Sequence, residues 1–177
     1  MPDEINLGRW AGLQISARPS AVISAIGLWT LLTMLAAVII PLPIGTAIVG
    51  GLIATLLHYA SDAAHQLGHA FAAKRTGYPM TGIRFWFVLS TALYPPAEPP
   101  LPGRIHIRRA LGGPPVSLGL GVMFGLLASM TTGLIGWLSI FLALDNLLVL
   151  GLGAFMPLGF TDGSTLLKWW GKRRDSL

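Results

Sequence analysis

The chain has 177 residues, of which 53% are hydrophobic and only 11% are charged. Soluble domains carry about 25% charged residues, so this composition excludes an ordinary water-soluble globule and predicts a single integral membrane domain over residues 1–177. There is no cysteine, which excludes disulfides and thiolate ligands and leaves nitrogen and oxygen donors for any metal.

Four apolar stretches predict four transmembrane helices. They cover about residues 21–42, 45–75, 111–130 and 133–153, and each contains the roughly 20 residues that a helix needs to cross a bilayer. Helices are expected because every backbone polar group in lipid must find a partner within the protein. The sequence therefore predicts an all-α membrane protein, with a re-entrant or short C-terminal helix in residues 154–170.

The basic residues indicate the orientation of these helices. All twelve Lys and Arg residues precede the first span, follow the last one, or lie between His69 and the third span. The positive-inside rule then places both termini in the cytoplasm. The net charge of +5 is explained by this topology, so we expect the lipid bilayer and not a nucleic acid as a partner. The expected location is a prokaryotic plasma membrane, crossed several times.

Residues 77–109 form the one sizeable insert between the predicted spans. Between residues 81 and 93, Ile83, Phe85, Phe87 and Leu89 alternate with other side chains, which predicts a small β-hairpin at the cytoplasmic membrane surface. The proline-rich residues 94–103 predict an irregular connector.

The second span contains the sequence His65-Gln66-Leu67-Gly68-His69. Histidines at positions i and i+4 share a helix face, so both imidazoles can reach one metal ion. Ionisable side chains inside a membrane are costly and usually functional. This favours metal binding over two packed core histidines.

Asp162 is the best candidate for a third ligand. It lies six residues before Lys168, as His69 lies five residues before Lys74, so both are just inside the same boundary if the C-terminal segment is helical. Asp162 also follows a turn and suits a helix N-cap. Two histidines and a carboxylate leave a fourth position on zinc, as in catalytic zinc sites.

Other polar residues of the spans have plainer interpretations. Asp62 is three residues before His65, where it could orient a ligand imidazole or replace Asp162 as the ligand. His58 is seven residues before His65, and we interpret it as a packed, hydrogen-bonded core residue. Asp145 and Asn146 are expected to face the bundle interior.

Together the motifs resemble those of the site-2 proteases, intramembrane zinc metalloproteases that cleave transmembrane substrates. That family combines a His-Glu-x-x-His helix, a Gly-Pro-x-x-Asn start to the next span and an Asn-x-x-Pro-x(4)-Asp-Gly segment. The corresponding segments here are His65 to His69, Gly113 to Ser117, and Ala154 to Gly163. The resemblance covers roughly residues 45–170. It implies a Zn²⁺ cofactor with His65, His69 and Asp162 as ligands, and a transmembrane or membrane-proximal protein substrate.

Three residues depart from the family pattern. Gln66 stands at the position of the general-base Glu, whose proton transfer is typically worth about 10²–10⁴-fold in rate. A neutral amide cannot accept that proton, so we expect this form to bind zinc and peptide but to be inactive. Ser117 and Ala154 replace two asparagines that lie near the substrate in the family. Ser117 keeps a hydroxyl for a substrate or oxyanion contact, and Ala154 keeps none.

Gln66 leaves two explanations open: a substitution that traps an inactive enzyme, or a natural pseudoprotease that binds membrane peptides. A di-iron oxygenase is disfavoured, because four histidines are too few for its ligands, and a metal-ion transporter is a further alternative. If peptides do bind, a strand in residues 82–93 would suit pairing with an unwound substrate segment.

Overall fold

The computed structural model describes residues 4–40 and 42–172. Residue 41, in the first predicted span, and the basic residues Arg173 and Arg174 therefore lie outside the described residues. The described chain forms a bundle of membrane-length helices with a small sheet, and the predicted fold class is confirmed.

The helices follow the predicted order. Two long helices come first, α1 (Pro19–Val38) and α2 (Ile44–Arg75). A short α3 (Gly103–Ala110) leads directly into α4 (Gly113–Met130), and α5 (Gly133–Leu144) continues as a π-helical segment (Asp145–Leu152) and a 3₁₀ turn (Gly153–Phe155). The last helix is α6 (Asp162–Trp170).

Four of these helical stretches are long and apolar enough to cross a membrane: Pro19–Val38, Ile44–Arg75, Gly103–Met130 and Gly133–Phe155. Local sequence explains several of their ends. Prolines occupy the first turns of α1 and α4, where no backbone N–H donor is needed. Lys74 and Arg75 lie in the last turn of α2, where their charge complements the helix dipole.

A four-stranded sheet covers the C-terminal end of α2. Its strands are β1 (Ile5–Trp10), β2 (Leu13–Ala17), β3 (Gly82–Trp86) and β4 (Leu89–Leu93), in that spatial order. The β3–β4 hairpin confirms the predicted one. Strand β2 pairs with β3 in parallel, so the predicted hairpin is extended by an N-terminal hairpin that no sequence pattern indicates.

The sheet is fixed to α2 by an apolar cluster. Four side chains are buried together in it: Ala73 of α2, Met80 of the following loop, Leu13 of β2 and Ile83 of β3. Because this cluster lies one turn beyond His69 along α2, the free edge of β4 is brought beside the histidine pair.

Candidate metal centre

The two histidines of α2 are brought together as their spacing predicts. Their Nε2 atoms are 2.9 Å apart, and both side chains are buried, with His65 6% and His69 5% exposed. Helix α2 and the start of α4 lie very close together here. A side-chain carbon on Gly68 would clash with the carbonyl oxygen of Gly112, and one on Gly112 would clash with that of Gly68. The absence of side chains at both glycines permits this close approach.

Asp162 approaches the same point from the first turn of α6. Its two carboxylate oxygens are each 3.4 Å from an imidazole nitrogen, Oδ2 from His65 Nε2 and Oδ1 from His69 Nε2. The next residue, Gly163, lies against the backbone of Phe155, where a side-chain carbon would clash with the carbonyl oxygen. The Asp-Gly sequence thus supplies a carboxylate and the space that lets α6 begin there.

The remaining nitrogen of each imidazole is bonded within the protein. His65 Nδ1 is 2.8 Å from Ser117 Oγ, and His69 Nδ1 is 2.8 Å from the carbonyl oxygen of Arg109. With the proton on Nδ1, each ring donates to these oxygens and presents the Nε2 lone pair to the centre, which is the arrangement of metal-binding histidines.

The residues present fit a zinc ion. Within the described chain, His65, His69 and Asp162 form a cluster whose potential ligand atoms all lie within 4.8 Å of one another. Two imidazole nitrogens and one carboxylate are a donor set of catalytic zinc sites. The buried Oε1 atom of Gln66 lines the same cavity without a hydrogen-bond partner, so a polar group is left there for a ligand or water to satisfy.

Gln66 is buried between α2 and the sheet. Its Nε2 donates a hydrogen bond of 3.1 Å to the carbonyl oxygen of Ser90 in β4. Residue 66 corresponds to the general-base Glu of the site-2 protease motif. Here it is an amide that donates a hydrogen bond to the edge strand β4.

Ser117 lies in α4, close to the histidine pair. It is fully buried (0% exposed), and its hydroxyl is the partner of His65. The substrate or oxyanion contact stays a prediction, and in this structure the Ser117 hydroxyl contacts the His65 imidazole.

Asp62 lies near the histidine pair, and the roles considered for it stay predictions. It is not among the three clustered residues, and the Nδ1 atoms of His65 and His69 are bonded to Ser117 and Arg109. Its Oδ2 atom is buried without a hydrogen-bond partner, and the side chain lines the cavity beside Gln66.

A cavity of about 590 Å³ opens beside these residues. One wall is β4 and another is the connector after it, where the buried Arg109 binds Glu98 with contacts of 2.5 and 2.9 Å. Arg109 also donates to the carbonyl of Tyr78 at 2.6 Å and lies 4.1 Å from the ring centre of Tyr94. One residue thus fixes the connector by its side chain and orients His69 by its carbonyl. No local pattern in the sequence indicates this double role.

Two side chains of this wall that lie outside the spans, Glu98 and Tyr94, have shifted pKa values. The hydrogen bond from Arg109 holds the pKa of Glu98 below its usual value. Burial raises the pKa of Tyr94 to about 12, so its hydroxyl stays protonated at neutral pH.

Comparison with known proteins agrees with this geometry. The chain is 33% identical to the "Putative zinc metalloprotease Rip3" of Mycobacterium tuberculosis strains Erdman and H37Rv, over 189 aligned positions that include the whole chain but 46% of the relative. The chain thus spans about half the length of the curated relatives it matches. No protein-family model matches it.

Among solved structures, the Site-2 Protease from Methanocaldococcus jannaschii superposes with a TM-score of 0.65 at 18% identity, covering 97% of this chain and 73% of that one. The likeness shows a shared fold. Together with the four membrane-length helices, it makes this chain an integral membrane protein. The predicted resemblance to the site-2 proteases is confirmed.

Proposed function

We propose that this chain is the membrane domain of a zinc metalloendopeptidase of the site-2 type, acting on transmembrane or membrane-proximal peptides. The observation that carries the proposal is the convergence of His65, His69 and Asp162 from two separate helices. The basic residues before α1 and between α2 and α4 favour a cytoplasmic position for both termini and the sheet.

The residues of the chain have distinct roles in this proposal. When bound, zinc supplies a Lewis acid that polarises a carbonyl group and lowers the pKa of water. His65, His69 and Asp162 hold it, while Ser117 and the Arg109 carbonyl fix the two imidazoles. Gln66 can donate or accept a hydrogen bond but cannot take up a proton, so the form described here binds peptide and scarcely cuts it.

Substrate docking on the edge of β4 follows from the strand register. Phe85 pairs with Ser90 across the hairpin, and the Phe85 carbonyl accepts a 2.9 Å hydrogen bond from Arg18 on the opposite side. Phe85 and Ser90 are therefore a non-hydrogen-bonded pair of the antiparallel ladder. In such a pair, the N–H and C=O groups of each residue point away from the partner strand. Ser90 and, two residues later, Ala92 therefore present backbone groups to the cavity. An unwound peptide can pair with them as an added strand.

The test is the substitution Gln66→Glu in the full chain in lipid nanodiscs, with a set of fluorescein-labelled single-span peptides as substrates. We expect cleavage of at least one peptide to rise by about 10²–10⁴-fold, because a proton acceptor is restored. The double variant Gln66→Glu, His69→Ala is the matched control and should lose this gain. If Gln66→Glu binds zinc and peptides without cleaving any of them, the protease proposal fails.

A second candidate is a catalytically silent peptide-binding protein of the same fold. The hydrogen bond from Gln66 to Ser90 favours it, because a carboxylate at residue 66 could not donate to that carbonyl. For this candidate, Gln66→Glu should weaken peptide binding and bring no cleavage.

A further inference from the structure

A second buried pair of ionisable side chains lies deeper in the bundle, on the face of α2 that carries the zinc ligands. His58 Nδ1 is 3.0 and 3.1 Å from the two carboxylate oxygens of Asp145, which begins the π-helical segment after α5. His58 is 4% and Asp145 6% exposed. The expectation of a hydrogen-bonded core histidine is confirmed by these contacts.

The other nitrogen of His58 contacts the sheet. His58 Nε2 is 2.6 Å from the carbonyl oxygen of Val88, in the two-residue turn between β3 and β4. The adjacent residue, Tyr59, places its hydroxyl 2.8 Å from the carbonyl of Phe87. Successive residues of α2 therefore bind both carbonyls of this turn, in which Phe87 has a φ of 50°.

The partners of His58 exclude a role as a metal ligand in this arrangement. Val88 offers only an acceptor, so Nε2 must carry a proton, and Nδ1 is taken by Asp145. Each ring nitrogen therefore has a protein partner. A buried pair of this kind adds little net stability, because desolvation offsets the attraction between its members. Its directional hydrogen bonds nevertheless fix the position of the carbonyl they reach.

We propose that His58, braced by Asp145, is a positioning residue that sets where the edge strand β4 lies relative to the zinc ligands. Helix α2 then holds β4 at two places: His58 at Val88, directly before the strand, and Gln66 at Ser90 within it. The two residues are eight apart, or about 12 Å along the helix. This role rests on the proposed function of β4 as the peptide-docking strand.

The position of the turn can be measured without any substrate. Because the chain has no cysteine, Val88→Cys and Val122→Cys introduce one pair of spin labels, on the turn and on the exposed face of α4. The distance distribution between them is recorded by pulsed electron paramagnetic resonance on the full chain in nanodiscs.

Three substitutions and one control separate positioning from general loosening. His58→Phe and Asp145→Leu remove the bridge and should broaden or shift the distribution. Asp145→Asn should preserve it, because an amide N–H can donate to His58 Nδ1 while Nε2–H still binds Val88. Ser61→Ala is the matched control: it removes a 3.0 Å hydrogen bond to Asn146 in the same part of the bundle without touching the turn.

Peptide affinity and zinc affinity are measured on the same variants without labels. We expect His58→Phe and Asp145→Leu to weaken peptide binding by about tenfold or more at unchanged zinc affinity, and Asp145→Asn to restore it. An unchanged spin-label distribution in both bridge-breaking variants, or the same broadening in Ser61→Ala, overturns the positioning role. If the unsubstituted chain binds neither zinc nor peptide, the proposed function fails, while the distance measurement still decides the role of His58.

Discussion

Helix α2 carries histidines at two places on one face, and each place faces a carboxylate from another helical segment. The hydrogen-bond partners of the imidazoles show that the two places are different kinds of site. At His65 and His69, the Nδ1 atoms are bonded to Ser117 and Arg109, while the two Nε2 atoms lie 2.9 Å apart and face Asp162 beside a cavity. At His58, both nitrogens are bonded, to Asp145 and to Val88. A shared helix face therefore does not define a metal site. A candidate metal site requires in addition that ring nitrogens and a carboxylate converge on one point.

The largest effect should come from removing a ligand from the first site. His69→Ala is expected to lower zinc affinity by more than about 100-fold, beyond what the loss of an orienting partner costs. His58→Ala, the matched substitution in the second site, should leave zinc affinity unchanged. Competition with a fluorescent zinc chelator measures both. If both variants lost zinc affinity equally, the His65–His69 pair and His58 could not be distinguished as a metal site and a structural site.

A smaller effect is expected from an orienting partner of the metal ligands. Ser117→Ala removes the acceptor of His65 Nδ1–H and should lower zinc affinity by about 10–100-fold. Ser139→Ala is the control, since this buried serine donates to the carbonyl of Ile135 in its own helix. The same chelator competition applies. A Ser117→Ala variant with full zinc affinity would show that the ring orientation is set by packing alone.

These two sites also show how far sequence reasoning reaches. The spacing of His65 and His69, and the depth match with Asp162, predict contacts that the structure contains, because helix geometry is periodic and local. The partners Ser117 and Arg109 come from elements far along the chain, and nothing in their local sequence indicates which side chain they meet. Local sequence therefore favours a substrate contact for Ser117 and leaves two roles open for Asp62, and it does not indicate the contact between Ser117 and His65 that the structure contains.

The fold shows the same limit. Apolar length predicts the four helices, and alternation predicts the β3–β4 hairpin. The N-terminal hairpin lacks such a pattern: β1 is exposed throughout and contains Gly8, with an irregular register around it. Its turn depends on positive φ angles at Ala11 and Gly12. The strand order depends on long-range pairing between β2 and β3, which periodicity cannot indicate.

The smallest predicted effect concerns the Glu98–Arg109 contact outside the bundle core. Because Arg109 lowers the pKa of Glu98, the stabilisation is present above the ordinary pKa of 4.5 and is lost as the pH falls through the lower folded value. A spin label at Ala97→Cys should become more mobile over that acidic range.

Glu98→Gln is the matched variant for this pH effect. It removes the titrating carboxylate, so the label at residue 97 should be more mobile already at neutral pH and should no longer respond to acid. A label that responds to acid equally in both proteins would assign the response to another group.

Zinc binding by His65, His69 and Asp162 together can be measured by zinc-edge X-ray absorption on the purified full chain. We expect one zinc per chain with two imidazole nitrogens and carboxylate oxygen at about 2.0–2.2 Å. We also expect that Asp162→Ala removes the carboxylate contribution and lowers occupancy, while His58→Phe changes neither. A chain without tightly bound zinc, or a spectrum unaffected by Asp162→Ala, would contradict zinc binding by these three residues.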